Sequence, residues 1–387
     1  MKLFLLRLLA LLARPFIRRA TPGPPRRVLV IKPDHLGDLL LATPALQALR
    51  AALPDAHISA LVGPWARRMW QGLPELDTLR ELPFPGFERD GARRRNRLQP
   101  FLTLLRYAVL LRREGYDAAL ILRDDHWWGA LLALLAGIPR RVGHGSPLCA
   151  PLLSEALPFD GREHVTRQAL DVAARLTGAK PLAYPGAPPL RFALTPAERA
   201  WANAWIAARL APAERLVIIH PGTAGVTKLW PAERWAIVGD ALAARPGARV
   251  LLTGGPGEEA LVRQVAGAMR HPPLELAGAT SISQLAALFA QAALVLGVDS
   301  GPLHLAVSQG TPTVRLFGPT DPGRFGPWGD PARHRVLRAG LACSPCHNVN
   351  RCPRGTLGPE CMEAISAAMV KDAVSLEASP DLPLTLR

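Results

Sequence analysis

The sequence contains few cysteines, few aromatic residues and no apolar run long enough to cross a bilayer. Five cysteines among 387 residues, four of them close together near the carboxyl end, are not the pattern of a secreted domain held by disulfides. Basic and aromatic residues are not interleaved in the way that stacks nucleic-acid bases. We therefore expect a chain from a reducing compartment, without a membrane span and without a nucleic-acid partner.

The composition indicates two folded domains and an acidic partner. Hydrophobic residues make up 49% of the chain, which is enough for about two full cores at this length. The formal net charge of +15 favours a partner that carries phosphate or another anion. Charge alone does not choose among nucleotides, phosphorylated glycans and anionic lipids.

Residues 1–20 combine many leucines with regularly placed cations. Arg7 interrupts the apolar core and no small-residue cleavage site follows, so the segment does not fit a signal peptide. The pattern predicts a basic helix in the membrane interface, with leucines at the acyl boundary and arginines on anionic head groups. The alternative is a helix packed on the protein's own surface.

Strand and helix patterns alternate in both halves, which predicts an α/β class. In the first half, strands are predicted at 28–32, 58–62 and 118–122, with a helix over 39–53. In the second half, strands are predicted at 216–220, 250–253, 293–298 and 313–317.

Helix starts and connections are indicated by local chemistry. Thr195 with Glu198, and Ser281 with Gln284, have the spacing of capping boxes. The proline-rich segment 181–189 is predicted to be an extended linker between the halves. The basic segment 93–97 is either a solvated loop or a contact for an acidic acceptor.

The most informative stretch is 295–304, where an apolar strand runs directly into the start of a helix. Asp299 or Ser300 is placed to cap a helix that begins at Gly301, and Gly310 is placed to end it. The amino end of such a helix presents free N–H groups to an anion at the carboxyl edge of the sheet. Residues 221–225, followed by Lys228, resemble a second phosphate-facing turn.

Three motifs carry a resemblance to a known family: 32–46 with its Leu-Gly-Asp turn, 220–235 and 297–312. In this order and spacing the chain resembles glycosyltransferase family 9, the heptosyltransferases that build the inner core of bacterial lipopolysaccharide. The resemblance extends over about 28–328. It implies a GT-B fold of two Rossmann-like doubly wound domains facing a central cleft, and inverting transfer without a metal or other cofactor.

The resemblance also implies roles for particular residues. Asp38 matches the family's catalytic base, although a carboxylate at that position also simply favours a helix amino end; Asp34 and His35 in the same turn are the substitutes. Lys228 matches the lysine that contacts the donor's phosphates. The remaining donor-binding candidates are Thr223, Asp299, Ser300, Gly301 and His304.

The resulting hypothesis is an enzyme that transfers heptose from ADP-heptose to an acidic glycolipid acceptor, the lipopolysaccharide core. It would be cytoplasmic and peripherally associated with the inner membrane. The expected division is a membrane-surface segment at 1–26, an acceptor domain at 27–185, a donor domain at 190–335 and a cysteine-containing extension at 336–387. Alternatives are a family member with another nucleotide sugar and glycan, or a non-catalytic basic membrane-bound module.

The cysteine cluster lies beyond the matched region. Its members can form a zinc site, an iron–sulfur site or disulfides, or can remain reduced, and no catalytic role is expected. The cluster consists of Cys343, Cys346, Cys352 and Cys361. Cys149 stands apart and is predicted to be a buried apolar residue.

Overall fold

Parallel strands alternate with helices in both halves of the chain, in a computed structural model that describes residues 1–20, 22–87, 98–180, 182, 185–355 and 359–377. The chain divides into two units, Met1–Pro189 and Leu190–Arg387. The basic segment 93–97 lies outside the described residues, as do residues 181, 183 and 184 of the predicted linker.

The N-terminal unit is built on six strands. Its elements are α1 (Lys2–Ala13), β1 (Arg27–Lys32), α2 (Leu36–Leu41), α3 (Thr43–Ala52), β2 (His57–Val62), β3 (Thr78–Glu81), α4 (Gln99–Glu114), β4 (Ala118–Ile121), α5 (Trp127–Leu135), β5 (Arg140–His144), β6 (Glu155–Leu157) and α6 (Val165–Thr177). The strands are parallel and lie in the order β3-β2-β1-β4-β5-β6. The strand order reverses between β1 and β4, and ligands bind at the carboxyl ends of the strands at such a reversal.

The C-terminal unit repeats this architecture. Its elements are α7 (Pro196–Ala207), β7 (Arg215–His220), α8 (Ala232–Ala243), β8 (Ala248–Gly254), α9 (Glu259–Ala268), β9 (Leu274–Ala277), α10 (Ile282–Gln291), β10 (Leu294–Val298), α11 (Gly301–Ser308), β11 (Thr313–Leu316), α12 (Pro322–Phe325), β12 (His334–Leu337), α13 (Glu360–Glu363) and α14 (Ala367–Glu377). The parallel order is β12-β11-β10-β7-β8-β9, so the reversal lies between β7 and β10. Both units are doubly wound, as the α/β class predicted.

The helix predicted over 39–53 is two helices. Helix α2 ends at Leu41 and α3 begins at Thr43, with Pro44 in its first turn. Proline has no N–H for the carbonyl one turn earlier, so it interrupts one helix while fitting the start of the next. The Thr43 hydroxyl donates to the Leu40 carbonyl at 2.7 Å and fixes the corner.

Both predicted capping boxes are confirmed. At the start of α7 the Thr195 hydroxyl accepts from the Glu198 N–H at 3.2 Å, and the Glu198 carboxylate accepts from the Thr195 N–H at 2.8 Å. Ser281 and Gln284 make the same reciprocal pair at the start of α10. These contacts depend only on residues three apart, which is why the sequence alone predicts them.

Helix α1 packs against the core of the N-terminal unit along one narrow apolar stripe. Leu6 and Ala13 are buried in the core that contains α5, a helix whose side chains are apolar on all sides and need cover. The alternative interpretation, packing on the protein's own surface, therefore holds for this stripe. Among the described residues, no helix combines the length and apolarity that a bilayer crossing needs.

We predict that Leu6→Ala lowers the free energy of unfolding by about 2–3 kcal/mol, because it leaves a cavity above α5. Leu12→Ala, on the same helix but 60% exposed, is the matched control and should change it by less than about 0.5 kcal/mol. Chemical denaturation of the full chain measures both. Equal effects of the two substitutions would mean that α1 does not pack on the core.

Candidate active site

The turn between β10 and α11 lies where the strand order of the C-terminal sheet reverses. Gly297 lets the strand and helix approach closely, because a Cβ there would lie 2.6 Å from the His220 carbonyl oxygen and 2.6 Å from the Leu303 side chain. Gly301 is the first residue of α11, and Gly310 follows its end with φ 75°. The arrangement presents the amino end of α11 at the carboxyl edge of the sheet, as predicted.

The carboxylate of Asp299 joins two other segments to this turn. Its Oδ2 lies 3.4 Å from Lys228 Nζ and accepts from the Thr320 hydroxyl at 2.7 Å. The Thr223 hydroxyl donates to the Asp299 carbonyl at 3.4 Å. The structure thus brings together three of the predicted donor-binding residues, and the paired cation offsets the repulsion that a carboxylate exerts on a phosphate.

Ser300 occupies the position before α11, but its side chain does not cap the helix. The prediction that Asp299 or Ser300 forms a side-chain cap is wrong, because Asp299 turns to Lys228 and Thr320 instead. The Ser300 hydroxyl is buried without a hydrogen-bond partner. A buried unpaired hydroxyl is costly, and a ligand oxygen beside it would remove that cost.

His304 lies on α11 beside a buried arginine that the sequence analysis missed. Arg315 Nη1 on β11 lies 3.2 Å from His304 Nδ1, and both side chains are buried. Burial lowers the pKa of Arg315 to about 9. The sequence pattern predicts a strand at this position, but it does not show that the arginine side chain contacts a histidine on the neighbouring helix.

The turn that carries Lys228 is supported by a distant segment. The Thr227 N–H donates to the Val349 carbonyl at 3.2 Å, and the Thr227 hydroxyl donates to the Asn348 carbonyl at 2.7 Å. These two carbonyls belong to the cysteine-containing extension. The extension therefore supports the Lys228 turn through its backbone.

Glu258 is a second residue that the sequence analysis missed. Its carboxylate accepts from the Gly255 N–H at 2.7 Å and lies 3.6 Å from His220 Nε2. Burial raises the pKa of Glu258 and lowers the pKa of His220 to about 4, so the contact is not an ion pair at neutral pH. Gly222 leaves room for this carboxylate, since a Cβ there would lie 2.1 Å from it.

The turn after β1 in the N-terminal unit is organised by a buried ion cluster. Asp34 is 3% exposed, pairs with Lys32 at 2.9 Å and also pairs with Arg123. Burial would raise the pKa of Asp34, but the two cations hold it below its ordinary value. Asp34 is therefore a structural counter-ion, and its low basicity makes it a poor substitute for Asp38.

Asp38 lies half-buried in the first turn of α2, directly after this cluster. His35, the other substitute, is the residue before α2, and its ring centroid lies 6.0 Å from that of Trp65. The turn is fixed to the end of β4 because Lys32 Nζ donates to the Leu122 carbonyl at 2.8 Å. Asp38 thus lies in the first turn of a helix at the reversal point of its own sheet.

The cysteines are all free thiols in the structure. Cys343 is exposed, whereas Cys346, Cys352 and Cys361 are half-buried. Among the residues that the structure describes, no group of three or more histidine, cysteine or acidic side chains is arranged to hold a metal ion. Cys149 is buried as predicted, and burial raises its thiol pKa to about 11.

Comparison with known proteins gives the same family from sequence and from structure. Residues 104–354 match the model of glycosyltransferase family 9 (heptosyltransferase). Lipopolysaccharide heptosyltransferase 3 of Escherichia coli (strain K12) is 30% identical over 308 residues, which are 76% of this chain and 82% of that protein. A family 9 glycosyltransferase from Veillonella parvula DSM 2008 matches with a TM-score of 0.78 at 26% identity, covering 93% of this chain and 99% of that one.

The solved structure of Escherichia coli ADP-heptose LPS heptosyltransferase II shares the fold, with a TM-score of 0.71 at 22% identity over 91% of this chain and 98% of that chain. The chain belongs to glycosyltransferase family 9, so the resemblance carried by the three motifs is confirmed. It is an enzyme that transfers sugars, and its two doubly wound units have the GT-B fold.

We predict that His220 makes the folded state sensitive to acid. Its pKa is about 4 when folded against an ordinary 6.5, so the unfolded chain binds the proton more tightly and stability falls as pH drops below about 6.5. Between pH 7 and pH 5 this one group accounts for a loss of about 2 kcal/mol. His220→Gln should reduce the loss by about that amount in chemical denaturation.

The exposed His347 provides the control. His347→Gln makes the same substitution at an exposed position, and its pH profile is compared with that of the unsubstituted chain. A His220→Gln profile that coincides with both would contradict the assignment of a buried neutral imidazole.

Proposed function

We propose that the protein transfers a heptose from ADP-heptose to the inner core of lipopolysaccharide, with inversion and without a metal ion. The observation that carries the proposal is the donor-side cluster: Lys228 and Thr223 converge on Asp299, and the unpartnered Ser300 hydroxyl stands at the amino end of α11. The names of the relatives, which are lipopolysaccharide heptosyltransferases, support the choice of donor and acceptor.

In this proposal the C-terminal unit holds the leaving group. Lys228 and the first N–H groups of α11 neutralise the diphosphate as the bond between the anomeric carbon and the phosphate oxygen breaks. The Ser300 hydroxyl donates to a phosphate oxygen. Glu258, a carboxylate at the carboxyl end of β8, suits the ribose hydroxyls of the nucleotide. These groups supply the charge stabilisation that a metal ion provides in other enzymes.

The N-terminal unit supplies the base. Asp38 takes the proton of the acceptor hydroxyl as that oxygen bonds to the anomeric carbon, and ADP departs from the opposite face with the bonding electrons. Asp38 is assigned this role because it matches the family's catalytic base, and it lies half-buried in the first turn of α2. The carboxylate of Asp34 holds Lys32 and Arg123 in the adjacent turn. Neutral carboxyl groups do not accept a proton, so the base must enter the reaction ionised.

The cellular setting belongs to the same proposal. An acceptor anchored by lipid and rich in phosphate suits a chain with a net charge of +15. We place the reaction at the cytoplasmic face of the inner membrane, with the acceptor domain at 27–185 and the donor domain at 190–335.

The deciding assay offers the purified chain a panel of nucleotide sugars and lipopolysaccharide cores truncated at successive steps. Transfer of another sugar in preference to heptose would contradict the proposal.

For Asp38→Asn we expect a loss of turnover of about a hundredfold or more with donor affinity retained, because the base disappears while the donor pocket stays. Initial rates and calorimetric titration with the donor separate the two effects. Asp55→Asn changes an exposed carboxylate in the loop after α3 and should leave both unchanged. Normal turnover in Asp38→Asn would sink the assignment of the base.

For Lys228→Ala we expect donor affinity to fall by roughly tenfold to a hundredfold, because a charge-assisted contact is lost and Asp299 is left to repel the diphosphate. Titration of the protein with ADP measures the loss. Lys371→Ala removes an exposed cation from the same unit and should bind ADP like the unsubstituted chain. Unchanged affinity in Lys228→Ala would remove the lysine from the donor site.

A further inference from the structure

Helix α4 carries two apolar stripes, and only one of them packs on the protein. Leu104, Ala108 and Leu111 are buried in the core of the N-terminal unit. On the other side Leu102 and Leu105 are exposed, the latter by 56%. Residues three and four apart lie on one helical face, so these side chains form a continuous apolar strip in solvent.

Helix α1 has the same property. Leu6 and Ala13 face the core, whereas Phe4, Leu8 and Leu12 are exposed. A helix that is apolar all round is normally buried in protein or in lipid. The inward stripe of α1 is satisfied by α5, and the outward side is left without such cover.

The two helices lie beside the same buried helix, α5. Lys2 Nζ of α1 lies 4.0 Å from the centre of the Trp127 ring at the start of α5, and the Arg18 N–H donates to the Gly137 carbonyl just after its end. Arg112 of α4 donates to the Phe16 carbonyl at 2.8 Å. Both helices pack against α5, and the last turn of α4 contacts the segment that follows α1. We call the outward sides of α1 and α4 together the α1/α4 face.

The exposed charges of the α1/α4 face are of one sign. Residues 1–20 and 98–113 contain no aspartate or glutamate, and Arg7, Arg14, Arg106 and Arg113 are exposed. Glu114, the last residue of α4, is half-buried and paired with Arg80 at 2.7 Å. A second copy of the chain placed symmetrically on this face would bring like charges together, which opposes association. An anionic lipid surface offers both an apolar layer for the leucines and phosphates for the arginines.

We propose that α1 and α4 together form a docking surface for an anionic bilayer, with α1 remaining packed on α5. This differs from the interpretation of the first twenty residues as a separate membrane-surface segment, since α4 shares the contact. The inference rests on the proposed function in one respect only, the identity of the cellular membrane that is bound. Vesicle binding needs no sugar donor, so an inactive transferase would not affect the test.

The test uses point substitutions, because deleting α1 would uncover α5. The full chain is sedimented with phosphatidylcholine vesicles that contain or lack phosphatidylglycerol. We expect binding to the anionic vesicles only, weakened by salt. Leu8→Glu on α1 and Leu105→Glu on α4 should each lower the partition coefficient about tenfold, because each removes apolar contact and adds repulsion.

Ile237→Glu is the matched control, since Ile237 is an exposed apolar residue on α8 of the other unit. It should bind vesicles like the unsubstituted chain, and unchanged circular dichroism verifies that each variant is folded. If Leu105→Glu bound normally while Leu8→Glu did not, α1 alone would be the membrane element and the proposal would be wrong. Equal binding to both vesicle types would overturn the choice of an anionic partner. If the unsubstituted chain did not bind vesicles but formed a dimer, and Leu105→Glu dissociated that dimer, the occupant of the face would be a second copy of the chain.

Discussion

The pairing of Asp299 with Lys228 is the contact on which the donor-side cluster depends. The carboxylate also holds Thr320, and the carbonyl of the same residue holds Thr223, so one residue connects the turns that follow three strands of the C-terminal sheet. Its position is set by the end of β10, where the Asp299 N–H bonds to the Leu316 carbonyl at 3.0 Å. An ion pair that is largely withdrawn from solvent is screened less than a surface pair, so it fixes the position of Lys228.

A similar solution appears in the N-terminal unit, again with a buried carboxylate at its centre. There a buried carboxylate, Asp34, holds two cations, Lys32 and Arg123, at the carboxyl ends of β1 and β4. In both units the ion cluster lies where the strand order reverses. The loops diverge at that point, and charged side chains hold their backbone groups in place. The neighbouring Asp38 is consequently presented by a turn whose geometry is fixed by a different carboxylate.

Local chemistry explains which elements the sequence could predict. Seven strands are largely apolar runs and were predicted, as were the capping boxes at Thr195 and Ser281, which involve residues three apart. Five further strands in the described part of the chain, β3, β5, β6, β9 and β12, were not predicted, because they are short or carry charged residues. The division between α2 and α3 was missed because Pro44 fits a helix start as well as it ends a helix. The family motifs pointed to Thr223, Lys228 and Asp299, which the structure brings together. Glu258, Thr320 and Arg315 were missed because their contacts are with residues of other elements, which the local sequence pattern does not reveal.

The support of the Lys228 turn by residues 348 and 349 comes from main-chain carbonyls and not from side chains. Nearly any amino acid can supply a main-chain carbonyl at these two positions, so the support of the Lys228 turn does not require particular residue types there. Alanine scanning would therefore pass over it, whereas a change in backbone course, such as a shortened loop, would move the lysine. The extension can thus diverge in sequence between related chains while its path is retained.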